Sequence, residues 1–300
     1  MSHRVNTEGL NLRDKPDGIK RAVLRRGDVV EKIRDAAKAG WWEVDAVIGG
    51  HKVRGLVAAK YLEPEAAHQP PAPAPGIREA MLPENRPSVT RDSRDAGWAY
   101  PLGEPGQPRR KGGSGADKAK ALADIVKWLG VDKRKRYEPA GPTTYCNIYA
   151  FDYCYLGGAY LPRVWWTSKS IEKLAGGEEV AVALGRTVVE MRANDLFNWL
   201  EDYGDDFGWE RTFDLDALQR AANDGKVAII CARRTDLNRP GHICAVVPEK
   251  GTNKAQRDAS GKTTIPLQSQ AGVTCYQYAC KAPMWWQNAK YGAFGYWIHP

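Results

Sequence analysis

The sequence lacks the features by which many membrane, metal-binding and nucleotide-binding proteins are recognised. No run approaches the roughly eighteen apolar residues that a helix needs to cross a bilayer, so we expect no membrane span. The six cysteines include no CxxC pair and no Cys/His cluster with the spacing of zinc ligands, and no glycine-rich phosphate loop is present. We therefore expect neither a metal ion nor a cofactor.

A secretion signal is also missing from the N-terminus. The segment from Met1 to Leu12 is polar and has no apolar core of the kind that such signals contain. We expect the chain to be made in the cytoplasm. Action at the cell wall or in the periplasm then requires a different export route or cell lysis.

The net charge of +8 is confined to the N-terminal half. Residues 1–64 carry 13 basic and 9 acidic groups, residues 65–143 carry 14 and 10, and residues 144–300 carry 17 of each. A positive surplus steers a protein toward polyanions, which include anionic cell-wall polymers. No nucleic-acid motif accompanies it, so nucleic acid is not an expected partner. A surface charge that merely keeps the protein soluble explains the surplus equally well.

Changes of composition divide the chain into three parts. Residues 1–64 hold five short alternating runs, with Leu10 and Leu12 expected to face inward, which predicts a small all-β barrel. Residues 65–114 contain HQPPAPAP and GEPGQPRRKGGSG, which predict a Pro/Gly-rich linker. Residues 115–300 show helical periods first and strands afterwards, which is the order of an α+β domain.

One cysteine stands at the start of a predicted helix. In GPTTYCNIYAFDYCYLGG the helical period runs from Cys146 to the glycines at 157 and 158. The first turn of a helix has unpaired N–H groups, which favour a thiolate and provide an oxyanion hole. Cys146 is therefore the candidate nucleophile. The other cysteines lie later in the same helix, in apolar strands or close together near the C-terminus, where they either pair or pack: Cys154, Cys231, Cys244, Cys275 and Cys280.

His242 is the candidate base among five histidines. It alone begins an apolar strand, in GHICAVV, and Gly241 before it allows another segment to approach closely. A satisfied core histidine is the alternative interpretation.

The base needs a polar group that holds its tautomer, and the next strand offers two. Gln268 and Gln270 in PLQSQAG are two residues apart, so they share one face and spacing does not choose between them. We take Gln268, the one nearer the start of the strand, as the third catalytic residue. Gln270 is then expected to contact the substrate.

Aromatic residues are the candidates for substrate contacts. The pairs Trp165-Trp166 and Trp285-Trp286 cannot both face the core if they lie in strands, so we expect Trp166 and Trp286 to line a groove, with core packing as the alternative. In the N-terminal part, Trp41, Trp42 and Tyr61 are placed near a groove, although one tryptophan there is expected to fill the core.

Two resemblances follow from these segments. LNLRDKP, LRRGDVVE, GWWEVDAV and GLVAAKYL resemble, in order, bacterial SH3-like domains, which commonly bind wall peptide or glycan. YCNIYAFD and PGHICAVV resemble the nucleophile helix and histidine strand of papain-like peptidoglycan hydrolases, such as NlpC-type peptidases and cysteine/histidine-dependent amidohydrolases. The chain differs from NlpC-type enzymes in two ways. Asn147-Ile148 follows the cysteine instead of Ser-Gly, and a glutamine stands where their third residue is usually His or Asn.

The resemblance implies a papain-like cysteine hydrolase domain behind an SH3-like barrel. Its activity would be that of a cell-wall amidase or endopeptidase, cleaving a peptidoglycan amide bond by an acyl-enzyme route without metal. The chain would act as a delivered antibacterial effector, with an immunity protein as partner, or as a phage lysin. Two alternatives stay open: an acyltransferase or deamidase acting on a protein, and a non-catalytic cell-wall-binding protein.

Overall fold

The chain forms two compact units, residues 1–72 and residues 73–300. The computed structural model describes residues 2–7, 9–24, 28–48, 51–64, 76–84, 86–93, 99–280 and 283–300. In those ranges no helix is long and apolar enough to cross a membrane.

The first unit is an antiparallel sheet whose strand order is β3-β2-β6-β5-β4-β1-β7. Its seven strands are β1 (Ser2–Val5), β2 (Leu10–Arg13), β3 (Lys20–Leu24), β4 (Val29–Asp35), β5 (Trp41–Ile48), β6 (His51–Ala58) and β7 (Leu62–Pro64). Leu10 and Leu12 are buried as predicted, and they pack with Val30, Val44 and Val57. The count exceeds the five predicted strands by β1 and β7, which pair with each other.

The second unit contains five α-helices in its described residues: α1 (Gly115–Leu129), α2 (Cys146–Leu156), α3 (Ser168–Ala175), α4 (Ala193–Asp202) and α5 (Leu215–Asn223). Local sequence explains their ends. Ser114 caps α1 and exchanges hydrogen bonds with Asp117, and Gly130 ends the helix at φ 53°, a left-handed conformation that suits glycine. Asp214 caps α5, its carboxylate accepting a hydrogen bond from the Asp216 N–H.

An antiparallel sheet of order β10-β17-β11-β12-β15-β16 forms the centre of the second unit. The strands of this unit are β8 (Val164–Trp166), β9 (Val188–Glu190), β10 (Glu210–Thr212), β11 (Val227–Arg234), β12 (His242–Val246), β13 (Gln256–Arg257), β14 (Thr263–Ile265), β15 (Gln268–Gln270), β16 (Tyr276–Ala279) and β17 (Tyr291–His299). Alternate residues of β11 fall into two separate buried clusters, one with α2 and α4 and the other with α5. The sheet is therefore covered on both faces, and the predicted α+β class is confirmed.

The predicted linker at 65–114 is wrong for the part that the structure describes. Ala80, Leu82, Ala99 and Leu102 are buried in the core of the second unit. The Arg110 guanidinium donates hydrogen bonds to the carbonyls of residues 157, 225 and 300. An extended segment rich in proline carries few apolar residues, yet these few are enough to fix it to the surface of a domain.

Helix α2 is anchored by a buried ion pair. The Arg136 guanidinium donates to both carboxylate oxygens of Asp152, at 2.7 and 3.1 Å, and both side chains are fully buried. The Tyr137 hydroxyl also donates to Asp152, at 2.9 Å. These bonds hold the middle of the helix whose first residue is Cys146.

Candidate active site

Cys146 is the first residue of α2, and the residue is only 4% exposed. The preceding Tyr145 provides no side-chain cap at this end of the helix. The Asn147 side chain, next along the chain, donates to the Met191 carbonyl at 2.9 Å and ties this end of α2 to the segment before α4.

The Cys146 thiol has a lowered pKa although it is buried. Burial alone works to raise this pKa, but the charge and hydrogen bond of His242 lower it, as do hydrogen bonds from the backbone of Ile243 and Asn147. For His242, burial works to lower the pKa, while Cys146 and a hydrogen bond to the Gln270 amide oxygen raise it above the ordinary value. The two shifts favour a thiolate beside an imidazolium.

Gln270 fixes the tautomer of His242. The Gln270 amide nitrogen donates to the Thr274 carbonyl at 3.2 Å, which leaves the amide oxygen to face the imidazole. That oxygen lies 2.7 Å from Nε2 of His242, and since it only accepts, Nε2 carries the proton. Nδ1 is then the nitrogen available to the Cys146 thiol.

The preference for Gln268 as the orienting residue is wrong. Its side chain is fully buried, its oxygen accepts from the Trp285 indole at 2.8 Å and its nitrogen donates to the Pro266 carbonyl. β12 and β15 are antiparallel, with Val246 opposite Gln268. The later residue of β15 therefore lies nearer His242, which begins β12.

The other five cysteines do not share the environment of Cys146. All six are free, so the closely spaced pair near the C-terminus forms no disulfide. Burial raises the pKa of each of the five thiols, namely Cys154, Cys231, Cys244, Cys275 and Cys280. Cys146 is the one thiol of the chain whose pKa is lowered.

Gly241 allows a close approach, as predicted. A Cβ there would lie 2.5 Å from Oδ1 of Asn194 and 2.6 Å from the Ala232 carbonyl oxygen. The Asn194 side chain donates to the Arg239 carbonyl at 2.9 Å and accepts from the Arg234 backbone N–H at 3.0 Å. This asparagine thus holds both sides of the β11–β12 connection that leads into His242. No periodicity marks it in the sequence.

A cavity of about 420 Å³ lies beside His242. Its described walls include Thr144, Gln270, Trp285, Lys290 and Tyr291, so Gln270 does line it, as expected of a substrate contact. The Trp285 ring meets the imidazole edge to face, with ring centroids 4.5 Å apart. Cys146 is buried and is not among the residues that line this cavity.

The expectation that Trp166 and Trp286 line a groove is wrong. Trp166 is 3% exposed and its indole donates to the Arg78 carbonyl, while Trp286 is fully buried and its indole donates to the Tyr296 hydroxyl. Trp165 is buried as well, because β8 is covered on both sides. Trp285, the neighbour that the sequence did not select, is the tryptophan beside the candidate base.

In the first unit, two of the three selected aromatic residues line a cavity and the third packs on the core. Trp41 and Tyr61 line a cavity of about 600 Å³, and Tyr61 is 38% exposed. Trp42 points away from that cavity, packs against the core of the unit and contacts the ring of His3 at 4.7 Å. Of the three residues placed near a groove, Trp41 and Tyr61 line this cavity and the choice of Trp42 is wrong, because adjacent strand residues face opposite sides. Trp42 is the tryptophan that packs on the core, as expected of one of the two.

Among the described residues, no group of three His, Cys, Asp or Glu side chains is arranged to hold a metal ion. Comparison with protein-family models finds no match, and comparison with curated proteins finds none. Among solved structures, the chain is similar to NlpC2 from Trichomonas vaginalis, with 9% sequence identity and a TM-score of 0.18 over 94% of this chain and 71% of that one. A similarity at this level carries no argument.

Proposed function

We propose that this chain is a cysteine hydrolase that cleaves an amide bond of cell-wall peptides, with Cys146 as nucleophile, His242 as general acid and base, and Gln270 as the residue that orients His242. One observation carries the proposal: the single thiol with a lowered pKa stands at a helix start beside a histidine whose second nitrogen is held by an amide. This combination activates a sulfur nucleophile without a metal ion.

The proposed reaction begins from a Cys146 thiolate and a protonated His242, the two forms that the pKa shifts favour. The Cys146 thiolate attacks the carbonyl carbon of the scissile amide, and the carbonyl oxygen becomes an oxyanion. Backbone N–H groups at the start of α2 are the expected donors to that oxyanion. The Nδ1–H of His242 protonates the leaving nitrogen as the carbon–nitrogen bond breaks and a thioester forms. Nδ1 then takes a proton from water, whose oxygen attacks the thioester and releases the acid and the thiolate.

The first unit is proposed as an SH3-like wall-binding module. Support comes from its small antiparallel sheet and from the cavity that Trp41 and Tyr61 line, because aromatic rings beside polar groups suit carbohydrate and peptide ligands. A wall-binding unit tethered to a hydrolase raises the effective concentration of the substrate.

Purified sacculi test the proposed activity. We expect the wild-type protein to release soluble muropeptides and Cys146→Ala to release none above background, because the alanine cannot form the thioester. Cys275→Ala is the matched control: it removes a half-buried thiol with a raised pKa and should leave the release unchanged.

Equal release by the wild type and Cys146→Ala contradicts the proposal. Untouched sacculi together with Cys146-dependent mass shifts on proteins would instead favour deamidation or acyl transfer.

A further inference from the structure

The cavity beside His242 has a one-sided charge. Arg234 and Lys290 both line it, and none of its described lining residues is an aspartate or glutamate. A cleft lined by charges of one sign focuses the field inside it and concentrates ligands of the opposite sign.

The pairing of strands β11 and β17 brings these two cations together. Arg234 ends β11 and pairs with Tyr291, the first residue of β17, after a shift of register at Arg233. The Thr235 N–H donates to the Lys290 carbonyl at 3.1 Å and fixes the next position. The Tyr291 ring lies 5.7 Å from the Arg234 guanidinium carbon and 5.2 Å from the Lys290 ammonium nitrogen. Both cations are thus gathered around one aromatic ring.

No carboxylate in the described part of the chain forms an ion pair with either cation. Arg211 on β10 provides a contrast, because it also lies over aromatic rings but forms an ion pair with Glu201 at 2.6 Å. Lys290 is also near enough for its charge to act on His242. The positive charge therefore remains available to a ligand at the position where a substrate would meet the base.

We infer that the substrate of this site carries a free carboxylate close to the scissile amide, and that Arg234 and Lys290 bind it. The inference rests on the proposed function for the identity of the scissile bond. A planar guanidinium pairs with a carboxylate through two parallel hydrogen bonds, and a lysine ammonium adds a point charge. A peptide whose corresponding carboxylate is amidated would lose both interactions.

Alkylation of Cys146 tests the charge of the cleft without any substrate. Iodoacetate and iodoacetamide react in the same way, since the thiolate sulfur bonds to the CH₂ carbon and iodide leaves, but only iodoacetate is an anion. We expect Arg234→Gln and Lys290→Gln each to lower the rate with iodoacetate relative to iodoacetamide by about threefold at low ionic strength. His242 is present in every variant, so its own attraction for iodoacetate is the same in all of them and does not affect the comparison.

Arg239→Gln is the matched control, because it removes a cation from the exposed β11–β12 connection outside the cavity walls. Arg234→Lys keeps the charge and should keep the selectivity, which separates loss of charge from a disturbed fold. The inference is overturned if the ratio of the iodoacetate rate to the iodoacetamide rate is the same in Arg234→Gln and Lys290→Gln as in the wild type and Arg239→Gln.

A second experiment measures the cleavage of muropeptides. We expect muropeptides with free carboxylates to be cleaved at least tenfold faster than the same pool after carbodiimide amidation, and the ratio to fall in Arg234→Gln. An equal rate for the two pools overturns the inference while leaving the hydrolase intact. Anion-selective alkylation without cleavage of either pool supports the cationic site and contradicts the proposed function.

Discussion

At the scale of single residues, His242 depends on Gln270, whose amide oxygen lies 2.7 Å from Nε2 and whose hydrogen bond helps to raise the pKa of the imidazole. The candidate nucleophile and base were predictable from the sequence, and the candidate orienting residue was not. Cys146 and His242 follow from a helix start and from elimination among few histidines, both of which are local signals. The choice between Gln268 and Gln270 depends on the register of two antiparallel strands. Because His242 begins β12, its neighbour must come late in β15, and that consequence of the antiparallel order favours Gln270.

Gln270→Ala should lower the rate of muropeptide release by about a hundredfold, less than the roughly 10⁴-fold loss caused by a misoriented histidine in a Ser-His-Asp triad. Its hydrogen bond helps to raise the pKa of His242. Without it that pKa falls, the imidazolium loses its proton at lower pH, and the basic limb of the pH–rate profile moves to lower pH. Rates measured between pH 5 and pH 9 test this shift.

Gln268→Ala is the matched control on the same strand. It removes the acceptor of the Trp285 indole and should therefore lower stability, but it should leave the basic limb in place. Identical pH profiles for the wild type and Gln270→Ala would show that Gln270 does not act through the base.

At the scale of elements, helices and strands were predictable wherever burial follows a simple period. The alternation of Leu10 and Leu12 in β2 and the extent of α2 from Cys146 to Leu156 agree with the sequence. The same reasoning gives a wrong prediction for the tryptophan pairs. Trp165 and Trp166 are both buried because β8 is covered on both sides, a tertiary property that no local pattern carries.

The anchoring of α2 gives a prediction at this scale. Asp152→Ala should lower the free energy of unfolding by about 3–5 kcal/mol, because it leaves the buried Arg136 guanidinium without its counter-ion. Asp124→Ala on α1 breaks the exposed pair with Lys120 and should cost much less, because solvent screens a pair of this kind. Urea unfolding followed by circular dichroism compares the two. Equal losses in both variants would mean that the buried pair does not hold the helix.

At the scale of the whole molecule, the structure changes the meaning of the positive charge. Half of the surplus lies in residues 65–143, which were predicted to be largely linker. Several of these cations are used inside the second unit: Arg136 is buried against Asp152, Arg91 pairs with Glu104, and Arg110 binds three carbonyls. They stabilise the fold and contribute little to a field that would attract polyanions. Composition alone does not distinguish a cation that holds a domain together from one on its surface.

Separate cores predict separate unfolding of the two units. Val44 is fully buried in the first unit, whose core shares no residue with the clusters of the second. Val44→Ala should destabilise the first unit by about 2 kcal/mol and lower its melting temperature by about 10 °C. The thermal transition of the second unit and the alkylation rate of Cys146 should not change.

Val23→Ala, at a position 45% exposed in the same unit as Val44, is the matched control and should alter the transition of neither unit. A single calorimetric transition that moves as a whole in Val44→Ala would contradict this independence, because it would mean that the core around Val44 and the fold around Cys146 unfold as one cooperative body.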